Sequence, residues 1–265
     1  VTGQPTYMIW LRNGTTWLNH LVETQYGNDW ESLMKLLIQA PDDCHGLLSL
    51  PFLDDEPGLD VKAGGTAMVI GYRGGGGSSG GGDDTNSQQQ TLVGSTLKAA
   101  LLATMFNLKL GTAPVLQQLQ EMGRMEMENM STSPESSPSD GVVVLTGGLA
   151  KTPATGQILA NVFNMPVHIP EGTVGQEGCS WGAALLAQYS FERKNAPVSP
   201  ATGRPTNDDF AMFLSRIQNL MTKGHHFIPQ PSSVQTLESV LERYKELLKL
   251  QPSLQTVVQP GHTVI

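Results

Sequence analysis

Two cysteines, Cys44 and Cys179, are all that the 265 residues contain. They stand far apart in unrelated contexts with no metal-type spacing, so they read as ordinary thiols of a reducing compartment. Charge is also sparse: 15% of residues are Asp, Glu, Lys or Arg, and the formal net charge is −8. With no Lys/Arg cluster, this argues against a nucleic-acid partner. No apolar run approaches the roughly 20 residues that a membrane span needs. No targeting pattern is visible, so no membrane partner and a cytoplasmic location are expected. Asn13-Gly14-Thr15 and Asn129-Met130-Ser131 have the form of glycosylation sites, which without a signal peptide reads as coincidence. The chain opens on Val-Thr-Gly rather than Met, and a fragment of a longer protein is expected.

Several catalytic patterns are missing too. The glycine-rich stretch "RGGGGSSGGGDDTNSQQQ" (73–90) lacks the Lys-Ser/Thr of a phosphate loop and reads as a disordered surface insert. "STSPESSPSD" (131–140) reads as a second flexible insert. Ser180, before Trp181, lacks the flanking glycines of a nucleophile elbow. Asp42-Asp43 and Asp54-Asp55-Glu56 read as solvated loop acids rather than magnesium ligands. His225-His226 reads as a helix-end pair in a linker with no third ligand at useful spacing, and His20, His45 and His168 are isolated. No metal-binding residues are assigned.

What is present alternates between strand and helix, which predicts an α/β fold. "TYMIW" (6–10) and "TAMVIGY" (66–72) read as strands, and "GLLSLPFLDDEPG" (46–58) as a strand running into an acidic loop. Trp17, Leu18, Leu21 and Val22 mark the inner face of one helix, and "WESLMKLLIQAP" is a second, ended by Pro41. Residues 96–110 form a strongly apolar helix that continues over 113–130, its methionines serving as soft packing. In "GCSWGAALLAQYSFERK" (178–194), the small residues Gly182, Ala183 and Ala184 suit close packing against a neighbour. A Pro/Thr/Ser linker (195–206) and two amphipathic helices, about 207–222 and 233–250, close the chain.

The most informative stretch is "VVVLTGGLAKTPATGQILANVFNMPVHIP" (142–170). Val142–Leu145 is β-branched and apolar, as in a strand buried on both faces. Gly147 and Gly148 follow, then Thr152 as a helix cap and Pro153 at the first helical position. Ile158, Leu159, Val162 and Phe163 share one helical face, and Val167–Ile169 is a second short strand. Glycines at such a turn let a ligand approach the backbone, although a tight strand-to-helix turn without a ligand has the same form.

"LTGGLAKTPATGQILANVFNMPV", followed by "GCSWGAALLA", resembles the adenosine-binding segment of the FGGY carbohydrate kinases. Three further stretches agree in order: "GLLSLPFLDDEP", "LKAALLATMFNL" and the tail "HHFIPQPSSVQTLESVLERYKELLKL", which is similar to that of pentulose kinases. Together they cover roughly positions 46–250. The resemblance implies an actin-like ATPase fold of ribonuclease-H type, with this chain most of the second of two domains. It places residues 1–194 in that nucleotide-binding domain, with inserts at 73–90 and 131–140, and residues 195–265 in a linker and helical tail.

The resemblance further implies an ATP-dependent kinase, with Mg2+, acting on a sugar or polyol such as a pentulose. Phosphoryl transfer needs a carboxylate base and donors around the phosphates. The family's base is an Asp near the domain junction, and none is found upstream of "TYMIW". The expectation is therefore no catalytic residue in this chain, an N-terminal kinase domain as partner, and inactivity alone. Gly147, Gly148, Leu149 and Ala150 align with the family's turn against adenine and ribose, and Gln157 with a common residue of the following helix. Leu149 replaces a frequent third glycine, Pro57 an arginine and Leu102 an acid. These departures motivate an alternative, a non-catalytic actin-like module that binds a nucleotide or a partner.

Overall fold

The computed structural model of the chain describes residues 8–71, 85–129, 141–198, 210, 212–216 and 223–257. These form two compact units. One comprises residues 141–160 and 165–228, and the other residues 8–129, 161–164 and 229–257, each within its described part.

The larger unit opens with α1 (Thr16–Thr24), whose Trp17, Leu18, Leu21 and Val22 are buried as their spacing predicts. In α2 (Trp30–Gln39) the Asp29 side chain accepts the Ser32 N–H at 3.2 Å and caps the first turn. That helix stops before Pro41, with Ala40 extended, because proline disfavours helical backbone in the residue ahead of it. β1 (Leu48–Leu50) pairs antiparallel with β2 (Met68–Ile70). α3 (Thr85–Asn129) is the spine. Its residues 95–103 are buried on every side, including Lys98, which donates to Ala40 O (2.6 Å) and Asp42 Oδ1 (2.8 Å).

Segment Asn86–Gln118 of α3 is long and apolar enough to cross a membrane by length and composition, so the expectation that no run reaches that length is amended. Leu97, Leu101, Leu102, Met105 and Phe106 are buried inside this unit instead. Residues 85–90, read as part of an insert, belong to the first turns of α3. The closing helix α7 (Pro231–Val257) buries Val234, Leu237, Leu241 and Tyr244, and the Tyr244 hydroxyl donates to Asn107 Oδ1 of α3 at 2.6 Å.

The smaller unit is built on a three-stranded sheet in the order β3-β4-β5. β3 (Val143–Val144) and β4 (Val167–Pro170) are parallel and joined through α4 (Ala154–Phe163), as a crossover connection requires. β5 (Gly224–Phe227) runs antiparallel to β4. α4 lies so close to the sheet that a Cβ on Gly156 would meet ring carbons of Phe227 at 2.6 Å. α5 (Gly172–Gln176) and α6 (Gly178–Asn195) follow β4. Tyr189 of α6 meets Phe210 edge-on and also contacts Phe213.

Several sequence expectations are corrected. The strand expected over Val142–Leu145 is Val143–Val144 only. It is not buried on both faces: Val142 and Val144 are 56% and 55% exposed. Residues 8–10 form no strand, and Thr6 and Tyr7 lie outside the described residues. His225 and His226 sit in β5 rather than at a helix end; two adjacent imidazoles carry little strand signal. On α6 no described residue is buried, and nothing lies within 4 Å of a Cβ placed on Gly182, so its small residues make no close helix contact there. The insert 131–140 and most of the helix expected near 207–222 lie outside the described residues.

Candidate functional site

The turn after β3 is set by one backbone angle. Gly147 adopts φ +88°, a left-handed value that glycine takes without the steric penalty of a Cβ. Residues Gly148–Lys151 then form a single 3-10 turn, followed by α4 from Ala154. The α-helix thus starts one residue beyond Pro153, the first position its sequence suggested.

Two donors hold this turn from either side. Gly147 N–H donates to Gly175 O of α5 at 2.8 Å. The Thr155 hydroxyl donates toward Leu149 O at 2.7 Å and Thr152 O at 2.8 Å. Between these anchors the chain is open: no atom lies within 4 Å of a Cβ built on Gly147 or Gly148. Gly148 is exposed, Leu149 half-buried and Ala150 buried. The four residues therefore stand together as one turn, with its two glycines presenting bare backbone. A ligand could approach them without displacing protein atoms, which leaves room there for a nucleoside.

Two more glycines shape the surroundings. A Cβ on Gly175 would sit 2.0 Å from Pro170 O, and one on Gly178 would sit 3.2 Å from Thr146 Oγ1. α5 and the start of α6 are thereby pressed against the end of β4 and the residue before the glycine turn. Sequence reasoning passed over Thr155, Gly175 and Gly178. The recurrence of glycine at 172, 175 and 178 was a visible signal, while Thr155 looked like an ordinary helix residue. Gln157 donates to Ile228 O at 2.9 Å, which ties α4 to the segment after β5.

The acidic loop in the larger unit is organised differently from its sequence reading. Asp54 is exposed and Asp55 half-buried, but Glu56 is fully buried. Its carboxylate accepts Arg12 N–H (2.9 Å), Asn13 N–H (2.9 Å) and Asn13 Nδ2 (3.1 Å). Asp55 pairs with the Arg12 guanidinium. Three donors converging on one buried carboxylate make a structural clamp, because a buried charge needs such partners. Among the described residues no group of three or more His, Cys, Asp or Glu is placed to hold a metal ion. Leu102, in the place of the family's acid, is buried in α3, and Pro57 begins a 3-10 turn after Glu56.

A strand, a glycine turn, a helix and a parallel strand, with helices around a small mixed sheet, define the α/β, actin-like ATPase fold of sugar-kinase second domains. Residues 29–191 match the family described as "FGGY family of carbohydrate kinases, C-terminal domain". That is more than half of the chain, and the chain belongs to this family.

Solved structures agree in fold. Ligand-bound xylulose kinase from Lactobacillus acidophilus superposes with a TM-score of 0.58 at 17% identity, over 89% of this chain and 38% of that one. Gluconate kinase from the same organism gives 0.59 at 18% identity, over 91% and 39%. Glycerol kinase from Plasmodium falciparum, solved with ADP, gives 0.53 at 13% identity, over 89% and 37%. The chain thus spans less than two fifths of the length of these kinases. No curated protein matches it in sequence.

Proposed function

We propose that this chain is the ATP-binding part of a carbohydrate kinase that phosphorylates a hydroxyl of a sugar or polyol, a pentulose being the first candidate. The observation that carries the reading is the open glycine turn: Gly147 held at φ +88°, with empty space over both Gly147 and Gly148. In this reading Gly147 and Gly148 lie against adenine and ribose, while Leu149 and Ala150 complete the turn. The acceptor oxygen attacks the γ-phosphorus, the bond to the ADP oxygen breaks, and the hydroxyl proton passes to a carboxylate base. That base and the sugar pocket belong to the N-terminal kinase domain, the expected partner. Mg2+ accompanies the nucleotide, and the chain alone does not turn over.

Calorimetric titration of the chain with ATP and with ADP tests the reading. Half of a two-domain site should bind weakly, with Kd on the order of 0.1–1 mM. Gly148→Trp fills the space above the turn and should abolish the heat. Equal binding by the Trp variant would remove the glycine turn as the nucleotide site.

A further inference from the structure

The glycine turn is suspended between two pinned peptide planes. On one side, the Gly147 N–H bond to Gly175 O fixes the plane joining Thr146 to Gly147. On the other, Leu149 O receives both the Thr152 N–H (3.2 Å) and the Thr155 hydroxyl (2.7 Å), which fixes the plane joining Leu149 to Ala150. Only Gly147, Gly148 and the Leu149 backbone lie between. Inside the stretch, the Ala150 N–H donates to Gly147 O at 3.1 Å and closes the 3-10 turn. Glycine is the most conformationally free residue, and with open space around both glycines that one internal bond leaves the stretch dependent on its two anchored ends.

Thr155 is unusual among the groups that impose it. Its side chain is the one that reaches the turn from within α4, six residues along the chain from Leu149. The residue is fully buried, where a hydroxyl is costly unless bonded, and both of its acceptors are backbone carbonyls of the turn region. A valine would fill the same volume, so packing alone does not call for a hydroxyl here.

We infer that Thr155 is a positioning residue of the nucleotide site: its hydroxyl holds the Leu149 carbonyl and so keeps the glycine turn in the conformation that receives the ligand. The affinity part rests on the nucleotide-binding reading above. The holding part does not. Pre-set geometry spares the ligand the cost of ordering the loop, and the loss of one such hydrogen bond corresponds to about a five- to tenfold weakening.

The test separates the two parts. Amide hydrogen exchange of the ligand-free chain is followed by mass spectrometry over residues 145–153, with 158–163 and 167–170 as internal references. Thr155→Val should speed exchange in 145–153 several-fold and leave the references unchanged, while Thr155→Ser, which keeps the hydroxyl, should behave as the parent. If Thr155→Val does not fold, Thr155→Ala against Thr155→Ser isolates the same hydroxyl. Equal exchange with and without the hydroxyl overturns the inference. ATP titration of the same proteins should then give a Kd about five- to tenfold higher for Val than for Ser. Equal affinities alongside altered exchange would overturn the positioning role. Absence of ATP binding by the parent chain would overturn the nucleotide reading, and with it that role, while the exchange data still decide whether Thr155 holds the turn.

Discussion

In the larger unit a carboxylate, an ammonium and a phenol are all taken out of water and each is answered: Glu56 by three N–H donors, Lys98 by a carbonyl and Asp42, Tyr244 by Asn107. In the smaller unit the polar groups around the glycine turn are mostly backbone, and the turn itself faces open space. Val144 of β3 and Val142 just before it are more than half exposed, and α6 has no buried described residue. Buried, satisfied polar networks fix one conformation and penalise any change to a partner. Open backbone carried on a rigid strand and helix is where ligands are received. Substitutions in the larger unit should therefore cost stability, and substitutions at the glycine turn should cost binding.

The largest effect is expected at Glu56. Glu56→Ala leaves the N–H groups of Arg12 and Asn13 without their acceptor, and unfolding in urea should show a loss of about 3 kcal/mol. Glu56→Gln, which keeps one carbonyl oxygen, should lose less. A loss below about 0.5 kcal/mol in the Ala variant would mean that water replaces the carboxylate and that the clamp contributes nothing.

Alkaline pH should weaken the same unit. Burial pushes the Cys44 thiol up from near 9 to about 12 and pushes the Tyr244 phenol up as well. In the folded chain burial disfavours both anions, so both groups keep protons over a range where the unfolded chain releases them. Their contribution is complete below about pH 9 and declines as pH rises from there towards the folded values. Each titrating group gives a slope of up to about 1.4 kcal/mol per pH unit. Urea unfolding at pH 7.5, 9, 10 and 11 measures it, and Cys44→Ala should flatten the first part of the decline. Tyr244→Phe leaves the buried Asn107 oxygen without its donor and should cost about 1–2 kcal/mol at neutral pH. An alkaline profile identical in parent and Cys44→Ala would place the lost protons elsewhere.

The helices of the larger unit were legible because a helical face repeats: Trp17, Leu18, Leu21 and Val22 recur at the spacing that one buried stripe requires. The glycine turn was legible for a different reason, since two glycines between an apolar strand and an amphipathic helix punctuate the chain at a strand-to-helix turn. What could not be read depended on partners distant in sequence. Nothing local distinguishes Glu56 from Asp54; its partners, Arg12 and Asn13, return to it across 44 and 43 residues. His226 faces His168 by strand register, which no local pattern encodes. The resemblance supplied the family and the place of the turn, whereas the second anchor, Thr155, is set by its hydroxyl's reach to Leu149 O.

The smallest expected change in stability sharpens the comparison most. A Cβ on Gly148 meets nothing within 4 Å, and unlike Gly147 this residue is not held at a positive φ. Gly148→Trp should therefore fold with a stability within about 0.5 kcal/mol of the parent, measured by urea unfolding beside the titration that reads nucleotide binding. At Gly147, by contrast, any side chain must adopt φ +88° with ψ −153°, a region essentially reserved for glycine, and Gly147→Ala should lose about 1–3 kcal/mol for that reason alone. The pair distinguishes a turn kept open from a turn merely kept tight. If both variants lose stability equally, the space above Gly148 is filled in solution and the turn is structural. If only Gly147→Ala loses stability, position 148 has no structural need for glycine, and room for a ligand is what its missing side chain provides.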